Sequence, residues 1–326
     1  MSNLERDTSE TRCGGTGVAT AVPTHEVLEP REVPLGGPRA LVVRRTLPHR
    51  DRRMVGAWCF VDDYGPADVT AGPGMQVPPH PHTGLQTVSW LLEGEILHRD
   101  SVGSLQRVRP GELNLMTAGG AISHSEESPA ERPAGLRGVQ LWVALPDVDR
   151  HVDPHFEHHP DLPRVVDRDV AATVVFGELA GHVSPATTYT PIVGADVELG
   201  PRADTVLPLD PDFEHAVLGL SGSPEVDGVP VEQGTLLYLG TGRRDLALGA
   251  GDDAGRFMLL GGAPFEEELL MWWNFVGRSH DEIVQAREDW ESGDRFGTVV
   301  GYPGERLPAP PLPGTPLRPR PRVPRR

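Results

Sequence analysis

The stretch His80-Pro81-His82-Thr83-Gly84-Leu85-Gln86-Thr87-Val88-Ser89-Trp90-Leu91-Leu92-Glu93-Gly94 sets two imidazoles directly before a run of β-forming residues that ends on a glycine. Proline lacks an amide hydrogen and disfavours helix in the residue before it, so Pro81 holds His80 extended while Pro79 is itself fixed in φ. In extended backbone, side chains two apart point the same way with Cα atoms roughly 6.5 Å apart, which suits two ligands closing on one ion. Further along, His124-Ser125-Glu126 repeats that spacing with a carboxylate in second place. The two triplets read as strand pairs facing each other across a barrel and holding one divalent metal. Imidazole and carboxylate without thiolate suit iron, manganese, nickel, copper or zinc and do not choose among them.

Outward from these triplets the chain keeps a β rhythm. Thr87 to Leu92, Glu93-Gly94 and Glu95 to His98 read as a hairpin, the glycine supplying the backbone freedom of a tight turn. Pro110-Gly111 is the next turn and Leu113-Asn114-Leu115-Met116 the next strand, leading through Thr117-Ala118-Gly119-Gly120 into the second triplet. Short apolar segments punctuated by Gly, Pro and Asp are the signature of an all-β sandwich or barrel. After a His-, Pro- and Asp-rich connection from Asp147 to Arg168, the rhythm returns. Ala216 to Leu220, the Asp227-Gly228 turn, Val229 to Val231, Gln233-Gly234 and Leu236 to Leu239 suggest a second copy of the same barrel, without paired histidines and with His215 alone at the matching place. Ser279 with Glu282 three residues on is a capping box for a short helix that sets Ile283, Ala286, Arg287 and Trp290 on one face and stops at Gly293.

The expected divisions are a flexible arm over 1–32, a metal-binding domain over 33–150, a second β domain without metal over 151–303, and a disordered Pro/Arg-rich tail over 304–326. The net charge of −17 argues against nucleic acid and anionic membrane as partners. Leu307 to Arg326 holds five arginines and no acid, so the remainder stands at −22. Two cysteines make no disulfide framework and fit a reducing cytoplasm, and Met1 to Val22 lacks the apolar core of a secretory signal. No lysine occurs, which excludes a Schiff-base lysine.

The segments HPHTGLQTVSWLLEG (80–94), LHRDSVG (97–103), PGELNLMTAGGAISHSEES (110–128) and GGAPFEEELLMWWNFVGRSHDEI (261–283) strongly resemble the pirin family of bicupin proteins, over roughly residues 35 to 300. The resemblance implies an all-β fold of two tandem cupin barrels, of the double-stranded β-helix or jelly-roll type, with a short C-terminal helix. It further implies one divalent metal, Fe(II) first and Mn, Ni, Cu or Zn as alternatives, in the N-terminal barrel, with His80, His82, His124 and Glu126 as ligands. Gln86 stands where many relatives have Glu, and Gly120-Ala121 replaces a more usual pair; neither change removes a ligand. Some pirins oxidise the flavonol quercetin with dioxygen, whereas others resemble transcriptional co-regulators.

The expected activity is therefore oxidation of a flavonol-type enediol by O2, with Glu126 as a base, in a monomer without nucleic-acid or membrane partners. The alternative is an iron-dependent redox sensor that binds a protein partner; a shallow exposed metal would favour the sensor and a deep apolar pocket the enzyme. His98 and Asp100 are read as a polar strand end at the barrel rim in preference to a pair behind the ligands. Gln86 is read as a structural hydrogen-bonding residue, His155, His158 and His159 as a solvated linker, and Gly119-Gly120 as a turn and not a phosphate loop.

Overall fold

The structure, a computed structural model, describes residues 11–13, 25–35, 41–319 and 322–323. The chain forms two cupin sandwiches in tandem, and the described residues contain one helix, His280–Ser292. In the first sandwich a seven-stranded sheet runs His155–His159, Leu113–Thr117, Leu85–Glu93, Gly135–Ala144, Trp58–Asp68, Leu41–Leu47, Arg31–Leu35. A four-stranded sheet runs Gln76–His82, Ile122–Glu127, Ile96–Asp100, Leu105–Val108. The second sandwich repeats both orders. Its large sheet reads Arg164–Asp167, Val170–Leu179, Ile192–Leu199, Gly255–Gly262, Glu214–Ser221, Leu236–Gly240, Glu26–Leu28, and its small sheet Asp204–Pro208, Asp245–Ala250, Pro224–Val226, Val229–Pro230.

The duplication expected from the rhythm is thus present, with one exchange and one addition, the short strand His182–Val183 that pairs with Val170–Leu179 in the second half. The outermost strand of each large sheet comes from outside its own sandwich: His155–His159 pairs with Leu113–Thr117, and Glu26–Leu28 pairs with Leu236–Gly240. This corrects the expected flexible arm at residues 26–28, and it corrects the linker reading of His155, His158 and His159. An extended segment beside an open sheet edge satisfies backbone groups that would otherwise need water.

The expected hairpin at Glu93-Gly94 is also corrected. Leu85–Glu93 lies in the large sheet and Ile96–Asp100 in the small one, so the glycine turns a corner between sheets. Gly94 holds φ at 92°, and a Cβ there would meet the Gly135 carbonyl oxygen at 2.5 Å.

One apolar cluster is common to both halves. It contains Trp58, Phe60, Trp90 and Trp142 from the first and Phe176, Leu218, Met258 and Leu260 from the second. Polar contacts cross the same junction: Trp90 Nε1 donates to Asp196 Oδ2 at 2.8 Å, and Trp58 Nε1 lies 3.1 Å from the Val193 carbonyl. The helix starts as expected, with Glu282 N donating to Ser279 Oγ at 3.3 Å, and it buries Ile283, Ala286 and Trp290. The Glu282 carboxylate does not close the box on Ser279; it accepts from Arg278 N and from Arg150. Residues 304–319 form neither helix nor strand but are not free. Trp290 Nε1 donates to the Leu307 carbonyl at 2.7 Å, Arg287 to that of Pro310, and Ala309 and Leu317 are buried. Beyond them, Arg322 reaches the fully buried Glu214 at 2.8 Å. The tail reading is corrected for these residues, because proline's preset extended backbone loses little entropy when it docks.

Candidate metal centre

The two triplets lie side by side rather than across from each other. Gln76–His82 and Ile122–Glu127 are hydrogen-bonded antiparallel neighbours in the small sheet, with His124 opposite His80 and Ile122 opposite His82. Directly opposed residues share a face, so both triplets turn the same way, toward the interior of the sandwich. A register shift falls between His124 and Glu126, where the partner strand carries Pro78 and Pro79. Those prolines cannot donate to the ladder, which is where a strand bulges at least cost.

The rings of His80, His82 and His124 meet with centroids 5.1, 4.3 and 5.0 Å apart, and their donor nitrogens all lie within 4.8 Å of one another. His82 Nε2 is 3.1 Å from His124 Nε2. His80 Nδ1 lies 2.8 Å from the Pro78 carbonyl, which only accepts, so its proton sits on Nδ1 and Nε2 carries a lone pair. That Nε2 is fully buried without a hydrogen-bond partner. Burial depresses all three imidazoles: His80 falls to about 3, and His82 and His124 well below their usual range. Neutral, convergent nitrogens, that of His80 without any partner, are the donor set a divalent metal requires, and the residues present fit such an ion.

Glu126 is buried on the same strand as His124, but it stands outside the group of three. Ser89 Oγ lies 3.4 Å from its Oε1 and donates to Gln140 Oε1 at 2.9 Å. The large sheet supplies the opposite wall, with Trp142 packed edge-on to His82 at 5.2 Å between centroids. His98 and Asp100 are not a rim feature. Both are buried, His98 Nδ1 is 3.4 Å from His124 Nδ1, and Phe156 stacks on His98 at 4.4 Å. Gln86 donates to Thr117 Oγ1 at 2.9 Å and to the Thr187 carbonyl at 3.1 Å, as its structural reading expects.

The sequence reading took Trp272 and Trp273 as packing and docking residues, and both are buried, but it missed Ser89, Gln140, Phe156 and the approach of the segment Trp272–Phe275 to the histidines. That segment returns from the far end of the chain: Asn274 sets its backbone against His82, and Thr83 bridges Phe275. Nothing local to the triplets signals it. In the second sandwich the strands equivalent to the two triplets are Asp204–Pro208 and Asp245–Ala250, whose buried side chains include Leu207, Leu246 and Leu248. His215 lies instead on the strand equivalent to that of Gln86, which corrects its placement.

Two family models match the chain, Pirin over residues 40–143 and the Pirin C-terminal cupin domain over 194–297. A Pseudomonas aeruginosa protein named "Putative quercetin 2,3-dioxygenase" is 47% identical over 319 residues, covering 96% of this chain and 98% of that protein. A "Pirin-like protein" of Caulobacter vibrioides is 39% identical over 258 residues, 77% of this chain and 88% of its own. The crystal structure of quercetin 2,3-dioxygenase from Acinetobacter baumannii superposes with a TM-score of 0.85 at 42% identity, covering 89% of this chain and 96% of that one. With both halves matched in order and the histidine cluster inside the first, the chain belongs to the pirin family.

Proposed function

We propose that this protein is a metal-dependent dioxygenase that oxidises a flavonol-type enediol, such as quercetin, with O2. The reading is carried by one observation, the three buried imidazoles whose donor atoms lie within 4.8 Å of one another, and it is supported by the names of the Pseudomonas and Acinetobacter relatives. His80, His82 and His124 hold the ion, Fe(II) in our reading, and Glu126 completes the set as a fourth ligand or serves as the base. A bound divalent metal of this kind supplies a site where an enediolate and dioxygen exchange electrons. The chain's own part is to exclude water, orient the substrate and move one proton. Trp142 and Phe156 give aromatic surface beside the histidines, and Glu126, within reach of the Ser89 hydroxyl, accepts the substrate's hydroxyl proton. Complete burial of the three rings favours this reading over an exposed redox sensor.

Protein purified without added metal should carry one iron per chain and take up oxygen with flavonols. No uptake by the iron-, manganese-, nickel- and copper-loaded forms would overturn the dioxygenase reading. Glu126→Gln, at full metal occupancy, should lose about 10²- to 10⁴-fold in turnover if the carboxylate is the base. Unchanged turnover removes Glu126 from that role.

A further inference from the structure

Behind the histidine cluster runs a second chain of contacts that fixes where protons sit. His124 Nδ1 faces His98 Nδ1 at 3.4 Å, and His98 Nε2 faces Asp100 Oδ2 at 3.0 Å. The other Asp100 oxygen, Oδ1, accepts from the backbone N–H groups of Val102 at 3.1 Å and Ser104 at 2.8 Å. All three side chains are buried, so water does not substitute for these partners. A carboxylate oxygen only accepts, so neutral His98 carries its proton on Nε2 and turns a lone pair toward His124. His124 answers that lone pair only with a proton on Nδ1. Its Nε2 is then bare and points at the common centre, 3.1 Å from His82 Nε2.

We propose that Asp100 and His98 are positioning residues that lock His124 in the one tautomer able to bind the metal. The lock is anchored in the turn 101–104, whose amides clamp Asp100, and in the stacked ring of Phe156, which fixes the plane of His98. The inference rests on His124 being a metal ligand and requires nothing of the substrate.

Asp100→Asn tests it with almost no change of shape. The amide oxygen must stay on Val102 and Ser104, because an NH2 group there would face two other donors. The NH2 group therefore faces His98 Nε2, which becomes an acceptor and sends its proton to Nδ1. His124 Nδ1 must now accept, and its own proton moves to Nε2, where it blocks the metal.

In metal-free wild type, ¹⁵N spectra at pH 8 should show His124 protonated on Nδ1; Asp100→Asn should show it on Nε2. Cobalt titrated against a chelator should bind the variant roughly 10- to 100-fold more weakly, and Asp100→Ala, which imposes neither tautomer, should fall between. A wild-type His124 protonated on Nε2 overturns the proposal without recourse to any variant. A folded Asp100→Asn with wild-type cobalt affinity overturns it too, while leaving the metal centre standing. Wild type that binds no cobalt removes the centre and this inference together.

Discussion

Single residues divide sharply between those that read themselves and those that need partners. His80 is legible because the prolines on either side of it leave one backbone state, and His82, two residues on in the same extended run, shares its face. His82→Ala should remain folded, since the core of the first sandwich is supplied by residues such as Val88, Trp90 and Leu115, yet be metal-poor by elemental analysis. Full occupancy in that variant would remove His82 from the ligand set. His98 was not legible in this way, because its role depends on Asp100, His124 and Phe156 converging from three strands. His215 makes a different prediction. Burial first, with Arg243 adding to it against Asp210, lowers it from 6.5 to about 4. Above pH 6.5 neither folded nor unfolded chain holds that proton; between 6.5 and 4 only the unfolded chain does, so stability falls as pH falls through this window. The loss at pH 4 is about 3 kcal/mol, and His215→Phe should flatten the slope in denaturant titrations at pH 7 and 4.5. The same variant should keep the wild-type metal content, because its strand is not equivalent to either ligand strand.

Elements were legible as strands and less so as neighbours. Periodicity tells which residues share a face, but it says nothing about which strand lies beside which, and the triplets proved adjacent where an opposed arrangement was expected. The Glu93-Gly94 corner failed for a related reason, since a glycine that permits a hairpin equally permits a change of sheet. The helix His280–Ser292 was the most legible element, because its cap, buried stripe and stop are all local. Its stripe ends in Trp290, which packs among Phe296, Ala309 and Leu317 and donates to the Leu307 carbonyl. Trp290→Ala should cost about 3 to 5 kcal/mol, measured by urea unfolding. A cost under about 1 kcal/mol would mean that the helix and the segment over it contribute little to the fold.

For the molecule as a whole, the duplication was visible in the turn spacing, but the exchange of outer strands was not, because an edge strand carries no signature of the sheet it joins. The Pro/Arg composition of the tail was misleading in the same way. It excludes helix and sheet but not docking, and Arg322 closes the chain onto the buried Glu214, which Gly56 N and Tyr238 OH also approach. A chain ending at Pro303 leaves that carboxylate without its arginine and should lose on the order of 3 to 5 kcal/mol. An unchanged unfolding midpoint would restore the picture of a free tail.

The return of Trp272–Phe275 to the histidine strand has a consequence for how the protein is made. During synthesis the three histidines leave the ribosome long before the segment that bridges Thr83 and sets its backbone against His82. The first sandwich then waits with an incomplete wall, so the ion should be captured late, and only by finished chains. A nascent chain stalled at Gly262 should exchange cobalt freely with a chelator, and one released at full length should not; equal retention by both would show that the centre matures without its far-end cover. A translation product cut short would then be not merely smaller but metal-free.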